Sequence, residues 1–569
     1  MGVLLVSIAA SVAAIGAFLP GYNIGSVNGL QNYLGFLKYF NLGSTETNSS
    51  DACTSVDHLS ENSQLILGTI VSVVFLGTAT GNLIAGKLSD LLGRKAVLLL
   101  SGVFFVLGAA VLGTALQGAV WMLIVGRIIT GLGFGTFFMA CPVYIAEIAP
   151  RHIRGRLSSL IAPSLTVGLL TGYAVNIGLS RVDAGWRVGS LLTAVFGCVY
   201  IVGVAFLPSS PRWLMLKGRE ADAREALKKL SISKDFIDAQ IKEIKESLPL
   251  DKSSNCLQEL KVFFLWKNIK RIILGILILV FQFATGNHIY FYSESLFCTL
   301  GVPPFVTSLI VGVCSVCGAI FANLFIDKLG RKVLLVGGGV LMALLVVIAG
   351  VLVDAFDLEE VEGGAGAIGY IVVVLISIFM LVYTATWFVT PIVIAGEIFA
   401  LKGRALAVAV CLVCNGLAGY AFTQVFPLVL ATLKAHGFLY LLASIEVAAI
   451  LTVLLVLPET KGISLEDVDQ LFAKPFLERT GLSKWLRCCK KYEIPSNNFD
   501  SSTSKSVQVE TTLHSHSEGS LPHSEGSLPH SDGSWTVSET ADEGWTQHFI
   551  DYEQEIENFV ENVGNVGKE

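Results

Sequence analysis

Apolar residues in this chain come in long runs broken by short polar segments, and the length of the runs predicts the architecture. Runs able to cross about 30 Å of hydrocarbon, at roughly 20 residues each, number twelve. They lie near residues 3–30, 64–86, 96–116, 119–147, 158–179, 187–207, 270–297, 303–326, 333–353, 367–396, 405–431 and 437–457. An even number of crossings places both ends on one side. Lys87, Arg94 and Lys95, then Arg151, Arg154 and Arg156, then Lys328, Arg331 and Lys332, then Lys402 and Arg404 occupy alternate loops, whereas the loops at 31–62 and 354–365 are acidic. By the positive-inside rule both termini are cytoplasmic. Asn48-Ser49-Ser50, a glycosylation sequon, then falls on the outer side.

The pattern also repeats. Asp90-Leu-Leu-Gly-Arg-Lys95 recurs as Asp327-Lys-Leu-Gly-Arg-Lys332, Glu147–Arg156 as Glu397–Arg404, and Leu207-Pro208 as Leu457-Pro458. Offsets of about 240–250 residues make the first six and last six runs related halves, the arrangement of transporters that rock around a midplane site. The expected fold is all-α: residues 1–207 and 270–457 form two six-helix bundles. Between them, 208–269 is a cytoplasmic linker whose segments EADAREALKKL and KDFIDAQIKEIKESL carry helical spacing, read either as a small helical cap or as a solvated connector.

After Pro458 the chain, 458–569, turns polar and is expected to be disordered beyond about 497. Ser517–Ser534 repeats SEGSLPH, a composition that cannot bury a core. Phe549, Ile556, Phe559 and Val563 fall near one stripe of an acidic segment, which reads either as a cytoplasmic partner-binding helix or as a tail without function. Cys488-Cys489 beside Lys490-Lys491 reads either as an acylation site or as an unmodified pair.

Composition agrees. Of 569 residues 53% are hydrophobic and 15% charged, against roughly 25% charged in an ordinary soluble domain. The net charge of −6 says nothing about nucleic acid, since the bases sit in short loops and much of the acid in the tail, and no nucleic-acid partner is expected. Eleven cysteines lie mostly in apolar runs, none with zinc-ligand spacing, so no metal site or cofactor is expected. The N-terminus enters an apolar run at once, without a basic n-region, which argues against a cleaved signal peptide. No constellation of nucleophile, base and metal suggests an enzyme.

One charge inside a run carries the argument. Arg127, about eight residues and 12 Å into the fourth span, costs at least about 2.5–3.5 kcal/mol there, so it must face the bundle interior and have a partner.

Together, the Asp90–Lys95 motif and its echo, Gly126-Arg127, the Pro142–Leu157 run, Leu207-Pro-Ser-Ser-Pro-Arg-Trp213 and Leu457-Pro-Glu-Thr-Lys-Gly462 resemble the sugar porter branch of the major facilitator superfamily, over about residues 1 to 475. In proton-coupled members the partner of the intramembrane arginine is an aspartate in Gly-Tyr-Asp. Here the matching residues are Gly21-Tyr22-Asn23, as in facilitative glucose transporters, and an amide does not titrate. The resemblance therefore implies uniport rather than proton symport. It also implies that Asp90, Arg94, Glu147, Arg154 and Arg156, with Asp327, Arg331, Glu397 and Arg404, form inter-helix ion pairs when the cavity faces outward and break them when it faces inward. The plainer alternative is that these bases only set topology. Two residues of these cytoplasmic motifs depart from the family pattern: Leu91 replaces a basic residue, and Ser209 replaces the Glu of Pro-Glu-Ser-Pro-Arg.

In the seventh span the family's paired glutamines and asparagine correspond to Phe281, Gln282 and Asn287, with Tyr292 retained. The usual Gln of span five becomes Ala162, the Glu and Trp of span ten become Thr384 and Ile392, and the Trp of span eleven becomes Gly416 beside a retained Asn415. Each unpaired buried polar group costs roughly 1–3 kcal/mol, so such losses are expected to weaken or redirect sugar binding. His288 is an addition, on one stripe with Thr285 and Tyr292, and serves either as a substrate contact or as a packing residue.

The expected function is alternating-access transport of a monosaccharide or polyol in the plasma membrane, with Asn23, Gln282, Asn287, His288, Tyr292, Thr384 and Asn415 around the substrate and the bilayer as the other partner. A nutrient sensor signalling through its tail, or a carrier of a non-hexose small polar solute, are the alternatives.

Overall fold

The computed structural model describes residues 2–30, 33–42, 60–149, 153–180, 182–230, 266–300, 302–356, 366–399 and 404–459, with a few positions near 237–245, 358, 461 and 472. Asn48, Cys488-Cys489 and the tail repeat lie outside the described residues.

All the described secondary structure is helical, as it must be where lipid offers backbone groups no hydrogen bonds. Among the described residues eleven helices are long and apolar enough to cross a membrane: Leu4–Gly29, Glu61–Leu92, Arg94–Gly113, Val120–Ile148, Ile161–Leu179, Gly185–Ala205, Ile269–Cys298, Val306–Ile326, Arg331–Ala355, Gly366–Glu397 and Leu406–Val456. The last has 51 residues, about 77 Å at 1.5 Å per residue and more than twice the hydrocarbon thickness. It breaks at Lys434, whose φ of 55° and ψ of −177° are not helical. It is therefore two crossings, spans eleven and twelve, with no loop between them beyond this break. The side on which the segment 208–269 joins spans six and seven is termed the linker face, and the opposite side the far face.

Large apolar side chains such as Leu83, Val199 and Leu344 point outward, where lipid meets them. The first half is drawn together by glycines. Gly77 and Gly81 of span two meet Gly131 and Gly135 of span four, and a Cβ on Gly77 would lie 2.3 Å from the Ile128 carbonyl oxygen. Gly25 of span one meets Gly172 of span five, and beside them Gly21 packs on the Leu165 backbone and Gly168 on the Phe18 backbone.

The second half is built differently. Span seven is interrupted at Phe283–Asn287 and span ten at Thr384–Phe388, both wound as π-helix, and Gly286 has a φ of 156° that favours glycine. Cys298, at the far end of span seven, is disulfide-bonded.

In the linker, Ser210 caps the short helix Pro211–Leu216 by accepting from the Trp213 N–H at 3.2 Å. The helix Glu220–Leu230 follows. Leu214, Met215, Ala223, Ala226, Leu227, Ile237 and Ile241 make a small apolar cluster of their own.

Candidate functional site

Arg127 is 1% exposed, and its guanidinium finds three oxygens. Span two breaks at Val73, between Glu61–Ser72 and Val74–Leu92. Just before that break Arg127 Nε donates to the Ile70 carbonyl at 3.0 Å and Nη2 to the Val71 carbonyl at 3.1 Å. Nη1 donates to Asn23 Oδ1. All three acceptors are neutral, so no carboxylate partners this arginine in its hydrogen bonds.

Across the molecule, Gln282 and Asn415 form a second polar node. Gln282 Nε2 donates to the Phe388 carbonyl at 2.6 Å, and Asn415 Nδ2 donates to Gln282 Oε1 and the Leu279 carbonyl, each at 3.1 Å. The Tyr383 hydroxyl donates to the Gln282 carbonyl at 2.7 Å. Both helix interruptions thus meet at Gln282, because winding span ten as π-helix presents the Phe388 carbonyl sideways. Asn287, at the end of the span-seven interruption, is buried, and its side chain makes no hydrogen bond among the described residues. Apolar walls complete the region: Phe75 meets Phe283 and Phe291 with ring centroids at 5.0 and 5.4 Å.

The other sequence-derived residues are bound to protein groups. Thr384 Oγ1 donates to the Met380 carbonyl at 2.7 Å and bonds the Tyr290 hydroxyl. The Tyr292 hydroxyl donates to the Thr423 carbonyl at 3.0 Å, and its ring stacks on Phe426 at 4.6 Å. His288 packs between Phe426 and Phe438, at 5.1 and 5.4 Å, with Nδ1 3.3 Å from the Phe283 carbonyl.

At the linker face Arg94 Nε lies 3.1 Å from Glu147 Oε1 and Nη1 3.2 Å from Asp90 Oδ1. Glu147 is 9% exposed and Asp90 76%, so the Glu147 contact carries the energy and the exposed pair little. Ser210 Oγ donates to the other Glu147 oxygen. In the second half Arg331 holds Glu397 with two bonds, Nη2 to Oε1 at 2.7 Å and Nε to Oε2 at 3.1 Å. Both clusters join helix ends within one half. The side chains of Arg154, Arg156, Asp327 and Arg404 lie outside the described residues.

The far face joins the two halves directly. Asn28 Nδ2 donates to Ser293 Oγ at 2.9 Å, the Tyr173 hydroxyl to the Tyr290 carbonyl at 2.8 Å, and Ser72 Oγ to Gln424 Oε1 at 2.6 Å. Sequence reasoning missed these residues, along with Tyr290, Tyr383 and Glu459. Only Glu459 carried a signal, its place in the second copy of the Leu-Pro repeat.

A family model described as "Sugar (and other) transporter" matches residues 9–472. The chain belongs to the sugar transporter family of the major facilitator superfamily. It is 31% identical over 424 residues to the glucose transporter GlcP of Staphylococcus epidermidis, covering 73% of this chain and 89% of that protein. Against hexose transporter 2 of Kluyveromyces lactis it is 28% identical, covering 87% and 88%. Among solved structures it resembles the proton:xylose symporter XylE bound to 6-bromo-6-deoxy-D-glucose, with a TM-score of 0.66 and 25% identity over 82% of this chain and 99% of that one. A partially occluded inward open form of the xylose transporter XylE from E. coli gives a TM-score of 0.64.

Proposed function

We propose that this transporter carries a monosaccharide or polyol down its gradient by alternating access, without protons. The observation that carries the reading is Arg127: its guanidinium is held by the Asn23 amide and two backbone carbonyls, none of which takes up or releases a proton near neutral pH. Relatives include a protein named as a proton:xylose symporter and others named as glucose and hexose transporters, and the neutral acceptor opposite Arg127 is what supports the uncoupled mode for this chain.

The substrate lies between Phe75, Phe281 and the Gln282, Asn287 and Asn415 amides. Asn287 brings an uncommitted donor and acceptor, and Gln282 and Asn415 exchange their mutual bond for sugar hydroxyls. The far-face bonds open and close as the halves rock, while Arg94–Glu147 and Arg331–Glu397 keep the helix ends of each half together as it moves. The termini and linker are cytoplasmic, Asn48 is glycosylated on the outer side, and the protein works in the plasma membrane.

Purified protein in liposomes, offered hexoses, pentoses, polyols and inositol, is expected to equilibrate at least one of them, and Gln282→Ala and Asn287→Ala to abolish that uptake while folded protein persists. A chain that binds sugar without ever equilibrating it across the bilayer overturns the carrier reading.

A further inference from the structure

A buried acid sits in span twelve without a partner. Glu446 is fully buried, and among the described residues neither of its carboxyl oxygens makes a hydrogen bond. The helix itself gives no reason for an acid there. Leu439, Leu442, Ala449 and Val453 lie at spacings of three and four with Glu446 at their centre, all of them buried, so an aliphatic side chain would complete the stripe. A polar group that is costly inside a membrane and unpaired in one conformation calls for a role in another.

Its surroundings tie Glu446 to the two helix interruptions. Span twelve runs antiparallel along span nine: Gly350 meets Leu439 and Tyr440 at one end, Gly339 meets Ile450 at the other, and Glu446 lies between these contacts. Gly338 and Gly339 also receive Thr386 and Trp387 of the span-ten interruption. Tyr383, the residue just before that interruption, is within electrostatic reach of Glu446. Its buried hydroxyl donates at 2.7 Å to the carbonyl of Gln282, the residue just before the interruption of span seven.

The Tyr383 hydroxyl therefore has two acceptors nearby, one in use and one open. The Gln282 carbonyl faces it because π winding departs from the regular i→i+4 ladder. If span seven regains α winding, that carbonyl turns back along the helix axis, and the hydroxyl loses its acceptor. A buried hydroxyl left unpaired is costly. Glu446 is the open acceptor in its neighbourhood.

We propose that Glu446 is a positioning residue of the transport cycle: it accepts the Tyr383 hydroxyl when the far face is open, as Gln282 accepts it when the far face joins the halves. This rests on the alternating-access reading. A carboxyl oxygen accepts in either protonation state, so the exchange moves no proton and leaves transport uncoupled. The unpaired acid weakens the closed state and its bond supports the open one, which brings the two close in energy.

The test uses the full chain in detergent, carrying Ser72→Cys as a reporter. Ser72 is fully buried where the far face joins the halves, so a polar maleimide reaches that position only when the face opens. Labelling at residue 72 is read by mass spectrometry. Glu446→Leu, which removes the acceptor and the unpaired acid together, is expected to unfold at the same temperature or higher and to be labelled about tenfold more slowly. Glu446→Gln, whose amide oxygen also accepts, is expected to stay within about twofold of the reporter chain. In a Tyr383→Phe chain, which has no hydroxyl to hand over, Glu446→Leu is expected to leave the rate unchanged. Equal labelling with and without Glu446→Leu, an equal slowing by Glu446→Gln, or a further slowing on top of Tyr383→Phe overturns the proposal and leaves alternating access standing. A reporter chain that is never labelled overturns alternating access and the proposal with it.

Discussion

The two halves solve the same packing problem in different ways. In the first, glycines of spans one and five, and of spans two and four, bring backbones into contact, and the one intramembrane arginine is locked to Asn23 and two carbonyls. In the second, the corresponding depth is taken up by two π-wound interruptions that meet at Gln282. Backbone-to-backbone contact tolerates no added atom, whereas an interrupted helix has a second arrangement within reach at modest cost. On the proposed function, the first half would serve as the platform and the second would change shape around substrate.

Substitutions can break this contrast. Gly21→Ala should do the most damage, because its Cβ would lie 1.9 Å from the Leu165 carbonyl oxygen and neither backbone can yield. A loss of about 3 kcal/mol or more is expected, read as loss of monodisperse protein. Gly286→Ala should instead leave folded protein but reduce uptake about tenfold or more, since its φ of 156° must shift and strain of about 1–3 kcal/mol falls on the interruption itself. If Gly286→Ala unfolds the protein while Gly21→Ala only slows uptake, the contrast is reversed.

Gln282→Ala should come next. It removes the partner of the Phe388 carbonyl and of the Asn415 amide, each costing roughly 1–3 kcal/mol when left unpaired, so uptake should fall by an order of magnitude or more and the unfolding temperature should drop, while folded protein persists. Glu397→Gln should cost about 1–2 kcal/mol of stability by weakening a two-bond charged contact. Glu147→Gln should cost less, since one of its oxygens already takes a hydroxyl. The smallest effect belongs to His288→Phe. With its ring between Phe426 and Phe438 and its Nε2 buried without a hydrogen bond, replacement by an aromatic hydrocarbon should change uptake by less than about twofold. A large loss would make His288 a substrate contact.

Much of this architecture can be read along the chain. Length and polarity of the runs mark the spans, since only an apolar stretch of sufficient length crosses lipid, and the doubled Asp-x-x-Gly-Arg-Lys motif reveals the halves before any contact is seen. Arg127 announces itself by its cost, and its resemblance-based partner Asn23 is where the chain folds it. The interruptions are not legible in this way. Phe283–Asn287 and Thr384–Phe388 lie within long spans whose polar residues there, Thr285, Asn287, Thr384 and Thr386, carry no signal of a change in winding, and Gly286 alone hints at a break. The surroundings of His288, Tyr292 and Thr384 were hidden for another reason. Their neighbours Phe426, Thr423 and Tyr290 are set by tertiary packing, and a pattern along one helix carries no information about the facing helix. The role of Glu459 as a cap, accepting from the Arg331 and Lys332 N–H groups, became visible only in the fold.

The central claim is that a neutral partner for Arg127 leaves the cycle uncoupled from protons. Its most direct measurement is uptake of the accepted sugar by reconstituted protein under an imposed proton gradient, acid outside, in wild type and Asn23→Asp. The account predicts that wild-type vesicles stop at equal internal and external concentration with or without the gradient, while a carboxylate opposite Arg127 makes uptake pH-dependent. Accumulation by the wild type above equilibrium, driven by the gradient, would contradict it.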